Sequence, residues 1–227
     1  MSNLNQFLFG IYPYIALTIF LLGSLVRFER EQYTWKSDSS QMLQRGQLRL
    51  GSILFHVGIL GLFVGHLVGL LTPVAVWDFL GVSHSFKQGV AMVAGGVMGT
   101  LCLAGLLILI HRRLTHPRIA RNTRFGDKLL LAWLLVTLLL GLSTIVVSAG
   151  HMDGEMMVSL MTWAQHIVTF RGDAASHVAE APFLFKAHLF MGLSLFVIFP
   201  FTRLVHVWSG FASVTYLGRA WQLVRPR

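Results

Sequence analysis

The sequence predicts an all-α membrane protein of five transmembrane helices, with its N-terminus periplasmic and its C-terminus cytoplasmic. Of 227 residues, 55% are hydrophobic and only 12% charged, about half the charged fraction of an ordinary soluble domain. Mean hydropathy is +0.67. Apolar runs long enough to cross about 30 Å of hydrocarbon, at about 1.5 Å per residue, recur five times. The basic residues between those runs collect on one side.

The first run, Phe9–Val26, follows an N-terminus with no basic leader and precedes no small-x-small cleavage site. It reads as a retained span rather than a cleaved signal. Ile53–Leu71, Val90–Ile110 and Leu129–Val147 supply the next three spans. The fifth, Phe183–Val207, carries Lys186 near its start, placed to snorkel to the headgroups, and Pro200, a point for a kink. Between the fourth and fifth runs, Met156 to Phe170 is apolar but interrupted by Gln165 and His166. It is short for a span and fits an interfacial helix on the periplasmic surface. Residues 1–227 read as a single transmembrane domain.

Charge placement sets the orientation. Region 27–50 holds Arg27, Arg30, Lys36, Arg45 and Arg49, and region 111–128 holds Arg112, Arg113, Arg118, Arg121, Arg124 and Lys128. Arg203, Arg219, Arg225 and Arg227 add to the same side, against Lys87, Arg171 and Lys186 on the other. Basic loops stay in the cytoplasm. The net charge of +9 therefore reads as topology, and nucleic acid is excluded as a partner because no soluble basic face exists. The single cysteine, Cys102, excludes an internal disulfide, a four-thiolate cluster and a CxxCH haem attachment.

Ten histidines are present. His84, His151, His166 and His177 fall in outer segments and His111 and His116 in the basic loop, all expected to be solvated or interfacial. His56 and His66 lie in the second span, and His188 and His206 in the fifth. Ionisable groups inside a bilayer are costly and mark function. His56 lies about 5 Å and His66 about 20 Å from the inner end of the second span. His188 lies about 8 Å from the outer end of the fifth, and His206 about 35 Å along it. His66 therefore matches His188 in the periplasmic half, and His56 matches His206 at the cytoplasmic edge. Two axial nitrogens on one iron sit only about 4 Å apart, so crossed pairs are too distant. The spacings of about 15 Å and 27 Å along the two axes differ, and a bend at Pro200 must absorb the difference.

Two bis-imidazole haems at different depths would carry electrons across the membrane, since neither iron keeps an open position. Gly58, Gly61, Gly65 and Gly69 in the second span admit either close helix packing or a flat macrocycle. Arg112 and Arg203 sit at the cytoplasmic rim, as propionate partners or simply as topology residues. A quinol site is expected beside the outer haem, bounded by Gly65 and His66. Lys87 there is either a hydrogen-bond donor to a quinone oxygen or a snorkelling interface residue.

With these residues in place, the chain resembles the gamma subunit of respiratory nitrate reductase, a dihaem cytochrome b membrane anchor. The resemblance spans nearly the whole length: IYPYIA, QYTW, SSQML, LFHVGILGLFVGH, KQ with AMVAGG, RRL, HMDGEMM, WAQ, VTF, FPFTRLVHVWS and QLVR. It implies two haem b groups, the distal held by His66 and His188 and the proximal by His56 and His206. It also implies a place in the bacterial cytoplasmic (inner) membrane among its lipids, and quinol oxidation on the periplasmic side involving Lys87. Electrons would pass inward to an iron–sulfur (beta) subunit and a molybdenum (alpha) subunit. Two other readings stand beside it: the same fold serving a heterodisulfide- or sulfite-type reductase, and a haem-free proton or metal transporter whose histidines line a water path.

Overall fold

A computed structural model describes residues 2–35 and 46–209. Lys36, Arg45, Arg219, Arg225 and Arg227, with the SSQML and QLVR segments, lie outside the described residues. Every regular element within them is helical.

Helix α1, Asn3–Arg30, begins where Ser2 accepts a hydrogen bond from the Asn5 amide at 3.2 Å. Its turn at Phe7–Ile11 widens to a π turn just before Pro13. Proline has no N–H to give the carbonyl four residues back. That carbonyl, Phe9 O, accepts instead from the Trp163 indole at 2.9 Å, so the wide turn leaves no orphaned acceptor.

Helix α2 is Gly46–Leu71, followed by the short α3, Val74–Phe79, and the long α4, His84–Thr115. Ser83 caps α4 by accepting from the Phe86 amide at 3.3 Å. That cap extends the helix six residues beyond the expected start and puts Lys87 in its first turn. Helices α2 and α4 meet at contact distance through glycine. A Cβ on Gly58 would strike the backbone and side chain of Cys102, and one on Gly105 would strike the backbone of Phe55. Glycine spacing draws two backbones together where lipid supplies no hydrophobic drive between helices.

Short α5, Pro117–Arg121, leads to α6, Phe125–Ala149. Helix α7, Glu155–Val168, then buries Met161, Trp163, Ala164 and Ile167. Its 14 residues reach about 21 Å, too short for a span. Its apolar face joins a core with Phe9, Ala16 and the 3-10 turn Ala174–Val178.

The last span departs from the sequence expectation of one helix to Val207. Helix α8, Phe183–Ile198, stops before Pro200. The chain then makes a 3-10 turn over Phe199–Phe201, extends at Thr202, and turns again over Arg203–Val205. Pro200 cannot donate back into the helix. Arg27 of α1 secures the break by donating to Pro200 O at 2.5 Å and Thr202 O at 2.8 Å. His206 therefore leaves the axis of α8, which is how unequal spacings on two helices are reconciled. Lys186 reaches back past the start of α8 to donate to Ala179 O at 2.5 Å.

Among the described residues, five helices are long and apolar enough to cross a membrane: Asn3–Arg30, Gly46–Leu71, His84–Thr115, Phe125–Ala149 and Phe183–Phe201. Packed neighbours run α2–α4–α6–α8–α1. Helix α2 carries His56 and His66 and α8 carries His188, with His206 beyond the two turns that follow α8; α2 and α8 are not closely packed on each other. They face across a slot whose width is set by α4 and α6.

Candidate functional site

The slot between α2 and α8 contains two histidine pairs. At the basic end, His56 and His206 have ring centroids 6.3 Å apart at an interplanar angle of 71°. At the opposite end, His66 and His188 lie 6.2 Å apart at 46°. Both pairs match the depth argument. Neither is close enough to stack. Two imidazoles on opposite faces of one metal, with bonds of about 2 Å and roughly 1 Å from nitrogen to ring centre, would place their centroids about 6 Å apart.

The four rings share one hydrogen-bond pattern. His56 Nδ1 meets Ser52 O at 2.7 Å and His66 Nδ1 meets Leu62 O at 2.7 Å, each reaching one turn back along α2. His188 Nδ1 meets Thr137 O of α6 at 3.0 Å, and His206 Nδ1 meets Arg203 O at 2.6 Å. A carbonyl only accepts, so Nδ1 carries the hydrogen in each neutral ring and the lone pair falls on Nε2. Second-shell anchoring of this kind orients a metal-ligating imidazole. In each ring Nε2 is thereby the nitrogen with a lone pair to offer a metal.

Glycines make room for these rings. A Cβ on Gly141 of α6 would lie 2.8 Å from His188 Cε1, so only glycine leaves the ring its seat. The glycines of α2 divide between the two roles considered for them. Gly58 and Gly61 press on α4, whereas Gly65 and Gly69 border open space, as does Gly192 of α8. A planar group beside His66 and His188 fits against that second set.

At the basic rim, Asp127 of α6 accepts from Arg203 Nε at 2.9 Å and its terminal nitrogen at 2.5 Å, and from Arg113 at 3.1 Å. Arg112 is 2% exposed. Two guanidinium groups, those of Arg113 and Arg203, thus share one carboxylate, and Arg203 O is the group that holds His206 Nδ1, so positive charge exceeds negative beside the His56–His206 pair, as propionates require.

Lys87 is buried, not snorkelled outward as one reading had it. Its Nζ donates to Gly69 O at 3.1 Å, lies 2.7 Å from Met161 Sδ, and sits 4.4 Å from the Trp77 ring centroid. Gly69 is three residues beyond His66, so the ammonium group lies at the same end of α2 as that histidine. Gln165 of α7 donates to Leu70 O and Thr72 O at 3.1 and 3.0 Å, capping the same helix end. Sequence reasoning missed Gly141, Thr137, Asp127 and Arg27. Asp127 carried a signal, as an acid alone in a basic loop; the others act only through contacts distant in sequence.

A five-span helical membrane protein whose second and last spans present two facing histidine pairs belongs to the class of membrane cytochromes b. Residues 5–227 match the nitrate reductase gamma subunit family. The chain is 49% identical to the respiratory nitrate reductase 1 gamma chain of Escherichia coli K12 over the full length of both. It is 48% identical to the respiratory nitrate reductase 2 gamma chain of that organism, covering all of this chain and 99% of the relative. It is 37% identical to the nitrate reductase gamma chain of Bacillus subtilis 168, covering 98% and 99%. The chain belongs to the nitrate reductase gamma subunit family, the membrane cytochrome b component of an oxidoreductase complex. It is a multi-pass protein of the inner membrane. This membership decides against a heterodisulfide- or sulfite-type reductase.

Proposed function

We propose that this chain holds two haem b groups, a distal one between His66 and His188 and a proximal one between His56 and His206, and oxidises quinol on the periplasmic side. Electrons pass inward to an iron–sulfur (beta) subunit and from it to a molybdenum (alpha) subunit; the chain itself has no nitrate-reducing site. The observation that carries this reading is the pair of ring separations, 6.3 and 6.2 Å, with every Nδ1 on a carbonyl. A bis-imidazole haem supplies one-electron transfer without an open iron position.

The protein's own groups do the rest. The Ser52, Leu62, Thr137 and Arg203 carbonyls fix each ring's tautomer and angle. Arg112 and Arg203 offset propionate charge at the cytoplasmic rim. Gly65 leaves space beside His66 for a quinol ring, and Lys87 turns from Gly69 O to donate to a quinol oxygen. Exposed Arg118, Arg121, Arg124 and Lys128 provide a cytoplasmic docking face for the beta subunit. The orientation rests on the positive-inside asymmetry.

A reduced-minus-oxidised absorption spectrum with pyridine haemochrome quantification tests the proposal. Two haem b groups per chain are expected, one lost in His66→Ala and the other in His56→Ala. A colourless purified protein ends the reading in favour of a haem-free transporter.

A further inference from the structure

Away from the slot, a second set of ligating side chains converges beyond α7. His166 lies in the last turn of α7, Asp173 just ahead of the Ala174–Val178 turn, and His177 within it. His166 Nδ1 is 2.7 Å from Asp173 Oδ1 and 3.2 Å from His177 Nε2. One ligand atom from each residue lies within 4.8 Å of the other two. Nothing in the spacing of the three residues marks them as a group.

The backbone that gathers them is firmly held. Phe170 has φ of 58°, a left-handed conformation that a bulky residue adopts only under constraint. Its ring stacks on Tyr14 at 5.6 Å and 12°, and the Arg171 amide closes the helix end on His166 O at 2.8 Å. Ala174, Ala175 and Val178 are buried in the core with Phe9 and Ala16, which anchors the turn carrying His177. The His166 side chain is 15% exposed and that of Asp173 62%, so the group opens to solvent on the carboxylate side. His166 holds the Asp173 carboxyl below the usual carboxylate range through their hydrogen bond.

We propose that His166 Nδ1, Asp173 Oδ1 and His177 Nε2 bind a divalent cation of the zinc class, with water in the fourth position. Two imidazole nitrogens and one carboxylate oxygen suit zinc and its borderline neighbours, whereas calcium and magnesium favour all-oxygen shells. Ligand atoms on a tetrahedral metal with bonds of about 2 Å lie roughly 3.3 Å apart. The His166–His177 separation already meets this, and the Asp173 contact opens by about half an ångström as the cation replaces the shared hydrogen. The neutral His166 ring then carries its hydrogen on Nε2. The cation ties the end of α7 to the turn below it. This is the helix whose Met161 lies against Lys87 and whose Gln165 caps α2.

The test uses the full-length chain purified from membranes with its accompanying subunits, stripped with a chelator, incubated with zinc chloride and desalted. Zinc is counted by mass spectrometry, and affinity is read by competition with a chromophoric chelator. The wild type is expected to retain one more zinc per chain than an Asp173→Asn/His177→Gln double variant, each single change weakening affinity about tenfold or more. Equal zinc content and affinity in wild type and double variant overturn the site. A second measurement needs no variant: zinc is expected to protect His166 and His177 of the wild type from diethylpyrocarbonate, reversibly by chelator. Unchanged modification of both residues overturns the proposal independently of any haem content.

Discussion

Each of the four slot histidines owes its usefulness to a carbonyl. For His56 and His66 that carbonyl lies one turn back on the same helix, so the ring's angle is set locally. His188 instead borrows Thr137 O from α6 and rests over Gly141. The consequence is specific: Gly141→Val should push the ring from its seat and lose the distal haem while sparing the proximal one. Pyridine haemochrome content is expected to fall from two per chain to one. Gly126→Ala, which enters open space at the other end of α6, should retain both. At this scale the four histidines were legible, because an ionisable side chain in an apolar run announces itself. Gly141 and Thr137 were not: a glycine's role as a seat exists only once another helix crosses it.

Among the elements, the five spans follow from hydropathy, but their ends do not. Helix α4 starts early because Ser83 caps it. Helix α8 stops early because Pro200 removes a donor and a distant side chain rewards the break. Proline in a sequence says that a hydrogen bond is missing; where the chain then goes depends on Arg27, at the far end of α1. Arg27→Ala should therefore act on a segment more than 170 residues away, since Arg27 donates to Pro200 O and Thr202 O. Each carbonyl left without a donor costs about 1–3 kcal/mol. The expected result is a lower thermal midpoint in detergent and preferential loss of the proximal haem, whose proposed ligand His206 follows the break. A variant that loses the distal haem first would show that the clamp does not position His206.

The molecule as a whole is a row of helices, α2–α4–α6–α8–α1, in which α2, bearing His56 and His66, and α8, bearing His188 and leading to His206, are separated by two intervening neighbours. Across the slot the histidine rings face one another at 6.3 and 6.2 Å, and its proposed sidedness follows from charge. The segment from Arg112 to Lys128 is dense with arginine, whereas the opposite end carries only Lys87, Arg171 and Lys186 as basic residues, with Lys87 buried. Under the proposed function, the positive-inside rule assigns the His66–His188 pair to the quinol side and the His56–His206 pair to the side of the soluble partners. Labelling decides this directly. In a Cys102→Ala background, a cysteine is introduced by Gly172→Cys, where a side chain meets open space, or by Arg121→Cys on the exposed basic loop. A membrane-impermeant maleimide on intact cells is expected to label position 172 only, and position 121 only after the membrane is opened. The reverse pattern would place His56 and His206 outside, inverting the direction of electron flow and moving the partner-docking face to the wrong compartment.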